Sequence, residues 1–173
     1  MPQKQLTLRP SDVAVALWLA RAPQAPYQAL ATALGLGLAE VHRGVRRLEV
    51  AGLVAPGERR VHRQALLEFL VHGVRYVFPP LLGAEERGVP TAAGAPALTG
   101  KLPAGPAVVW PDESGGGRGR SLLPLYRRAP RAALADDYLY RTLALVDVLR
   151  LGQLRERRLA QTLLDEDLSR AGT

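Results

Sequence analysis

Apolar residues recur every three or four positions in the first part of the chain, over residues 11–22, 26–35 and 37–51. This spacing places the apolar side chains on one face of a helix, so it predicts three consecutive helices. Ser11 is expected to cap the first helix, because a serine hydroxyl can accept a hydrogen bond from a free backbone amide. Gly52 follows the third helix, at a position where a left-handed glycine commonly ends a helix.

A change of pattern after the third helix predicts a small β-hairpin. Two short extended pieces, residues 53–54 and 60–62, are separated by the turn signal Pro56-Gly57. A broad apolar face follows over residues 64–78 and predicts a fourth helix.

The remainder of the chain divides into an irregular part and a helical part. Residues 79–130 are rich in glycine, proline and alanine, which excludes long helices and indicates a segment that wraps over the folded core. Two apolar pieces within it, residues 107–110 and 120–126, flank a glycine-rich turn and could pair as a β-hairpin. Helical spacing returns over residues 131–173, with a break at Gly152.

Composition excludes several classes of site. The chain has 173 residues and no cysteine, so neither a disulfide framework nor a thiolate metal site is possible. His42, His62 and His72 are too far apart in sequence for an i, i+4 zinc pair, and we expect no metal and no cofactor. The sequence has no secretory leader pattern and no apolar run that could span a bilayer. We therefore expect a cytoplasmic protein without a membrane partner.

The net charge of +7 favours polyanionic partners, and it is unevenly distributed. Residues 1–80 hold ten basic and five acidic side chains, a net charge of +5, whereas the remaining residues hold 13 and 11, a net charge of +2. Nearly all the basic residues are arginines, whose planar guanidinium suits phosphates and guanine edges. A GC-rich genome would produce the same arginine excess, so both explanations stay open.

Residues 26–54 combine a short helix, a Gly-Leu turn, a helix with valine at its centre and a Gly-Leu-Val exit. In this order they resemble bacterial winged helix-turn-helix transcriptional regulators of the multiple-antibiotic-resistance type, over about residues 9–78. Two features depart from that pattern: Gly37 stands where serine is usual, and the wing is short. The matching positions are Leu30, Leu34, Gly35, Leu36, Val41, Leu48, Gly52, Leu53 and Val54.

The resemblance implies a fold, an organisation and a function. The fold would be mainly α with a small β-hairpin wing. Residues 1–78 would form a winged helix-turn-helix DNA-binding domain, residues 79–130 a wrapping segment, and residues 131–173 a helical region that could join two copies. A homodimer would match two DNA half-sites. The implied function is sequence-specific binding of double-stranded DNA at the nucleoid, as a transcriptional regulator that we expect to be a repressor.

A helical wheel separates the two sides of the third helix. Val41, Val45 and Leu48 share one narrow sector and must face the core. The arginines occupy the opposite side, and in a helix-turn-helix that side of the second helix enters the major groove. Arg43 and Arg46 would therefore read base edges, guanine in particular.

Further contacts follow from the same arrangement. The helix over residues 38–51 would lie in the groove, and the wing over residues 53–62 would lie on the backbone. Arg47, one step toward the rim, would meet phosphate. Tyr27 and Gln28 would contact phosphate, and Arg59 and Arg60 would reach neighbouring phosphate or the minor groove. The predicted DNA-binding residues are Tyr27, Gln28, Ala39, Glu40, His42, Arg43, Arg46, Arg47, Arg59 and Arg60.

Other interpretations stay open. Arginines on one side of a helix can be simply a solvated face. The chain could instead be a protein-interaction module, antitoxin-like or an assembly partner, whose winged helix contacts protein. A small-molecule-sensing regulator is a variant of the DNA-binding hypothesis. A second basic cluster could hold flanking DNA, an RNA or an acidic partner, and consists of Arg118, Arg120, Arg127, Arg128 and Arg131.

No group of residues predicts an enzyme. Asp136 and Asp137 begin a helix, where carboxylates interact favourably with the helix dipole. Asp147 interrupts an apolar helix three residues before Arg150, a spacing that predicts a structural ion pair. A serine nucleophile in a Gly-x-Ser-x-Gly turn is absent from the sequence.

Overall fold

A computed structural model describes residues 5–171 and is mainly helical with one small sheet. The three expected N-terminal helices are confirmed as α1 (Pro10–Arg21), α2 (Tyr27–Leu34) and α3 (Leu38–Val50). Gly35 ends α2 in the left-handed region with φ +65°, which lets the chain turn sharply into α3. Gly52 has φ +76°, as predicted for the residue that follows α3.

The first helix begins earlier than the expected cap. Arg9 is the N-cap residue, and Ser11 is buried inside the first turn, so the assignment of Ser11 as the cap is wrong. Pro10 occupies the first helical position, which suits proline because its φ is already helical and an amide there would be unpaired. The Asp12 carboxylate accepts the backbone N–H of Arg9 at 2.8 Å, so a carboxylate takes the role expected of the serine.

The segment expected to be a wing, residues 53–62, forms only a short hairpin, and we call this hairpin the wing. Within the described residues, the one bridge in this region pairs Val54 with Val61. The Ala55 N–H donates to the Arg60 carbonyl at 2.8 Å, and the His62 N–H donates to the Leu53 carbonyl at 2.9 Å. These two bonds close the short hairpin. The segment is therefore a tight turn pinned to the end of α3, with little length to extend from the body.

The expected fourth helix is divided in two. Helix α4 spans Arg63–His72 and the short α5 spans Val74–Val77, with Gly73 between them. The Gly73 N–H donates to the Phe69 carbonyl at 2.8 Å and closes α4. A Cβ on Gly73 would lie 3.0 Å from both the Phe69 ring and the Phe69 carbonyl oxygen, a tight contact that a small shift of Phe69 would have to relieve. The prediction of a continuous helix is thus wrong at Gly73.

The middle of the chain forms a closed three-stranded sheet. Strands β1 (Leu82–Pro90), β2 (Val108–Pro111) and β3 (Gly117–Leu122) pair so that β1 is antiparallel to both others. Strands β2 and β3 pair in parallel, with Val108 opposite Arg120. The extended piece over residues 107–110 is confirmed as a strand and that over residues 120–126 only as far as Leu122, and their pairing as a hairpin is wrong.

Strand β1 explains that difference. It supplies an antiparallel partner to each of the other two strands, and its sequence has no alternation of apolar and polar residues that would have revealed it. Gly88 sits where the strands converge, and a Cβ there would lie 2.1 Å from the Trp110 carbonyl oxygen. Only glycine allows this approach.

The C-terminal part is helical as expected. It contains α6 (Ala129–Ala135), α7 (Asp137–Leu151) and α8 (Leu154–Ala171), with the predicted break at Gly152. Along α7 the apolar side chains are almost completely buried, which makes this helix the centre of the core. Between residues 5 and 171, no helix is both long and apolar enough to cross a membrane.

The C-terminal helices pack on the N-terminal ones. The Arg21 guanidinium donates to both oxygens of Asp136, at 2.9 and 2.6 Å. It is also sandwiched between two rings, with its Cζ 4.4 Å from the Trp18 centroid and 4.6 Å from that of Tyr138. The Tyr138 hydroxyl donates to the Leu17 carbonyl at 3.0 Å. The two ends of the chain thus share one core.

Asp147 holds the middle segment onto this core. Its carboxylate accepts the Thr91 hydroxyl and the Trp110 indole N–H, each at 2.7 Å, and pairs with Arg150 at 2.9 Å. The predicted Asp147–Arg150 pair is therefore confirmed, with two further partners. Burial raises the pKa of Asp147, against the Arg150 charge and the hydrogen bonds, which lower it. Arg150 also donates to the Phe78 carbonyl at 2.8 Å.

Candidate nucleic-acid interface

Helix α3 has one apolar side and one basic side, and the apolar side is as predicted. Val41, Val45 and Leu48 are buried against the neighbouring helices. Arg43 and Arg46 are exposed on the other side. The wheel therefore predicted the facing of these five residues correctly.

Arg47 does not lie where it was expected. Its side chain is only 6% exposed, and its Nε and one terminal nitrogen (Nη2) donate to the Asp12 carboxylate of α1 at 2.7 and 2.8 Å. The hydrogen bond with Asp12 raises the pKa of Arg47, while burial acts in the opposite direction. The prediction of a phosphate contact from Arg47 is therefore wrong: this guanidinium joins α3 to α1.

Gly44 explains how Arg47 reaches inward. It precedes Arg47 by three residues on the same edge of α3, and a Cβ there would lie 2.9 Å from Asp12 Oδ1 and 3.7 Å from Arg47 Nη2. A wheel records where a Cα lies and not how far a long side chain can fold back. The sequence does contain a signal for this contact. It is a glycine in the middle of α3, near an arginine, together with an acidic residue in the first turn of α1.

Arg46 is tied loosely to the wing. It pairs with Glu49 at 3.3 Å while its side chain stays 65% exposed. The other Glu49 oxygen accepts the Gly57 N–H at 2.9 Å, so the same carboxylate fixes the wing turn. Exposed pairs of this kind contribute about 0–1 kcal/mol, so a phosphate or base edge could replace Glu49 at small cost.

Arg43 differs from Arg46 and Arg47, which both pair with carboxylates. It is exposed, and it makes no hydrogen bond or ion pair with any residue in the part of the chain that the structure describes. Its neighbour His42 is also exposed and stacks on Tyr27, with ring centroids 4.1 Å apart. The stacking holds the start of α2 against the outer side of α3.

Arg59 folds back toward α2. Its Cζ lies 5.0 Å from the Tyr27 ring centroid, and a terminal nitrogen (Nη1) donates to the Ala25 carbonyl at 2.5 Å. Its backbone has φ +56°, an uncommon conformation for a residue with a side chain. Arg59 therefore fastens the wing to α2, whereas the neighbouring Arg60 is exposed and forms a surface ion pair with Glu58 at 3.2 Å.

The remaining predicted residues surround this cluster. Gln28 and Ala39 are exposed, and Tyr27 and Glu40 are half-buried. Nine of the ten predicted residues are thus at least partly accessible, and Arg47 is the exception. Within residues 5–171, no three histidine or acidic side chains converge on a possible metal position.

Two features of this region were not predicted. Asp12 was not among the predicted site residues, yet it is the buried partner of Arg47 on α3. Arg128 was grouped with a separate basic cluster, yet its side chain lies on Gly35, in the turn between α2 and α3. Both contacts join residues far apart in sequence, which periodicity cannot detect.

No protein-family model, curated protein or solved structure matches this chain.

Proposed function

We propose that the protein is a winged helix-turn-helix regulator that binds double-stranded DNA at specific sequences and represses transcription. The observation that carries the proposal is the pair of exposed arginines on the outer side of α3, Arg43 unpaired within residues 5–171 and Arg46 held only by a surface carboxylate. Helix α3 follows a short helix across the left-handed Gly35. A second helix in this position places its outer side in the major groove.

The roles follow from accessibility. Arg43 and Arg46 read base edges, for which a guanidinium offers two parallel donors to guanine. Gln28 at the start of α2 and Arg60 on the wing contact phosphates, which set the position of the protein on the duplex. Arg59 and Arg47 act indirectly, because each is engaged within the protein. Two copies, joined as a homodimer, would present two such helices to a two-fold operator.

Fluorescence anisotropy with labelled duplexes tests this proposal. One duplex carries the region upstream of the protein's own gene, and the other carries a scrambled sequence, each measured at several salt concentrations. Specific binding that weakens as salt rises supports the proposal. Equal affinity for both duplexes would leave a non-specific DNA binder, and no binding at low salt would refute a DNA function.

A matched pair of variants identifies the reading residue. Arg43→Ala should cost about 1–3 kcal/mol of specific binding, with unchanged melting, because Arg43 makes no contact on which folding depends. Arg155→Ala is the control, since Arg155 is also exposed and unpaired within the described residues but lies on α8. Unchanged affinity of Arg43→Ala for the upstream duplex would contradict the assignment.

A protein-interaction module is the second candidate, and a separate observation favours it. Leu81 and Leu123 are 60% and 58% exposed and adjacent, because the Leu123 N–H donates to the Leu81 carbonyl. Exposed apolar side chains that lie together mark sites of protein contact. Absence of DNA binding, together with loss of a stable hetero-complex in Leu81→Ser/Leu123→Ser, would favour this function.

A further inference from the structure

The C-terminal part of the chain contributes to the surface around the helix-turn-helix. The Arg128 side chain lies over Gly35: a Cβ on that glycine would be 2.8 Å from Arg128 Cδ and 3.2 Å from Arg128 Cβ. Gly35 is therefore constrained twice, by its φ of +65° and by the arginine stem on top of it. The contact fixes where the Arg128 stem lies relative to α2 and α3.

Buried residues on either side of Arg127 and Arg128 anchor this segment. Leu125 and Ala129 are buried, so the segment is held on both sides of the arginines. The Tyr126 hydroxyl is buried without a hydrogen-bond partner among the described residues. Burial raises the pKa of Tyr126, and the negative charge of Glu40 on α3 adds to this effect.

Arg127 and Arg128 are nevertheless free at their ends. Both side chains are exposed, and neither makes a hydrogen bond or ion pair with another residue between positions 5 and 171. Other arginines of the same basic cluster are engaged: Arg118 lies 4.0 Å from Glu85, and Arg120 donates to the Gly83 carbonyl at 3.3 Å. Because its stem is held against Gly35 while its guanidinium is free, Arg128 loses little conformational entropy on meeting an anion.

We propose that Arg127 and Arg128 form a second phosphate-binding site on the DNA beside the stretch that α3 reads. The inference rests on the proposed DNA-binding function. The first helix of a helix-turn-helix crosses the DNA backbone, so a side chain on the turn after it lies near phosphates and not over base edges. The pair therefore contributes affinity and position on the duplex, and it does not discriminate between sequences.

The test is the double variant Arg127→Ala/Arg128→Ala, measured by anisotropy on the upstream and scrambled duplexes over a salt series. Each lost phosphate contact should lower the slope of log affinity against log salt by about 0.9. Affinity for both duplexes should fall by the same factor, about tenfold near physiological salt. Arg155→Ala/Arg158→Ala is the control, since it removes the same charge from exposed positions on α8.

The possible outcomes separate the two proposals. Wild-type protein that binds neither duplex refutes the proposed function itself. Wild-type protein that binds specifically, with a salt slope that the double variant leaves unchanged, overturns only the second phosphate site. A loss confined to the upstream duplex would also overturn it, because that pattern belongs to base readers. Arg128→Lys should retain most of the slope, since it keeps the charge, and matching melting curves exclude a folding defect.

Discussion

Two arginine–aspartate pairs in which both side chains are buried, one in each half of the described chain, are built differently. Asp12 and Arg47 come from helices α1 and α3 and are 35 positions apart in sequence. Asp147 and Arg150 are three positions apart on α7. The carboxylates are 2% and 1% exposed, so desolvation is comparable.

What distinguishes the pairs is the origin of their other partners. Besides Arg47, Asp12 accepts only the nearby Arg9 amide in the described residues. This pair therefore joins α1 to α3 and connects no other part of the chain. Asp147 also accepts from Thr91 and Trp110, which belong to the middle of the chain. The first pair thus fixes the orientation of α3 relative to α1, whereas the second attaches the middle segment to α7.

The largest effect is expected from Asp147→Ala. It leaves the Arg150 charge buried and removes the acceptor of two further donors, so the free energy of unfolding should fall by about 3–5 kcal/mol. Urea unfolding followed by circular dichroism measures this loss. Asp137→Ala, at an exposed position in the first turn of the same helix, should change stability by less than about 1 kcal/mol. Equal losses in the two variants would show that Asp147 does not hold the segments together.

A smaller effect is expected from Arg47→Ala, at about 2–3 kcal/mol, because Asp12 keeps the Arg9 amide but loses its counter-charge. Thermal melting compared with Arg43→Ala measures it, and the latter should melt like the wild type. This pair of variants sharpens the contrast within α3 between an inward and an outward arginine. A stable Arg47→Ala protein with weakened salt-dependent DNA binding would return Arg47 to the DNA surface.

The smallest effect concerns the half-buried ion pair between Arg21 and Asp136, which joins the two halves. Asp136 is the N-cap of α7, so Asp136→Ala should cost about 0.5–2 kcal/mol. Burial raises the pKa of Asp136, but hydrogen bonds from Arg21 and the Leu139 amide outweigh it, and the pKa is lowered. Because the folded pKa lies below the unfolded one, this stability is present above about pH 4 and lost as the pH falls.

The acid dependence has a direct check. The urea midpoint of the wild type should fall between pH 7 and pH 3, and Asp136→Asn should reduce that fall, since asparagine keeps the cap but does not titrate. An identical pH dependence in both proteins would assign the acid sensitivity to other carboxylates.

Local signals predicted the N-terminal helices well. Apolar spacing specified α1 to α3, and Gly35 and Gly52 marked where two of them end. The Asp147–Arg150 pair could be predicted for the same reason, because three positions along a helix bring side chains together. The exposure of Arg43 and Arg46 followed from the wheel, since neither has a helix packed against it.

Contacts between distant residues could not be predicted in this way. Strand β1 is defined by its partners and not by its own alternation, so the pairing of β2 and β3 was misjudged. The inward turn of Arg47 depends on space that Gly44 leaves and on an acid in another helix. Arg128 and Gly35 are in contact although they lie more than a helix or a strand apart in sequence, so no helical or strand periodicity could predict the contact.

The hydrogen bond between the Trp110 indole and Asp147 gives the protein an internal optical reporter. Trp110 is 1% exposed, and the chain has one other tryptophan, Trp18 on α1. A buried indole emits at shorter wavelength than a hydrated one, so in Trp18→Phe the emission would follow the attachment of the middle segment alone. In Trp110→Phe the remaining signal would follow the N-terminal helices. Unfolding curves that coincide in both would show that the two halves melt together.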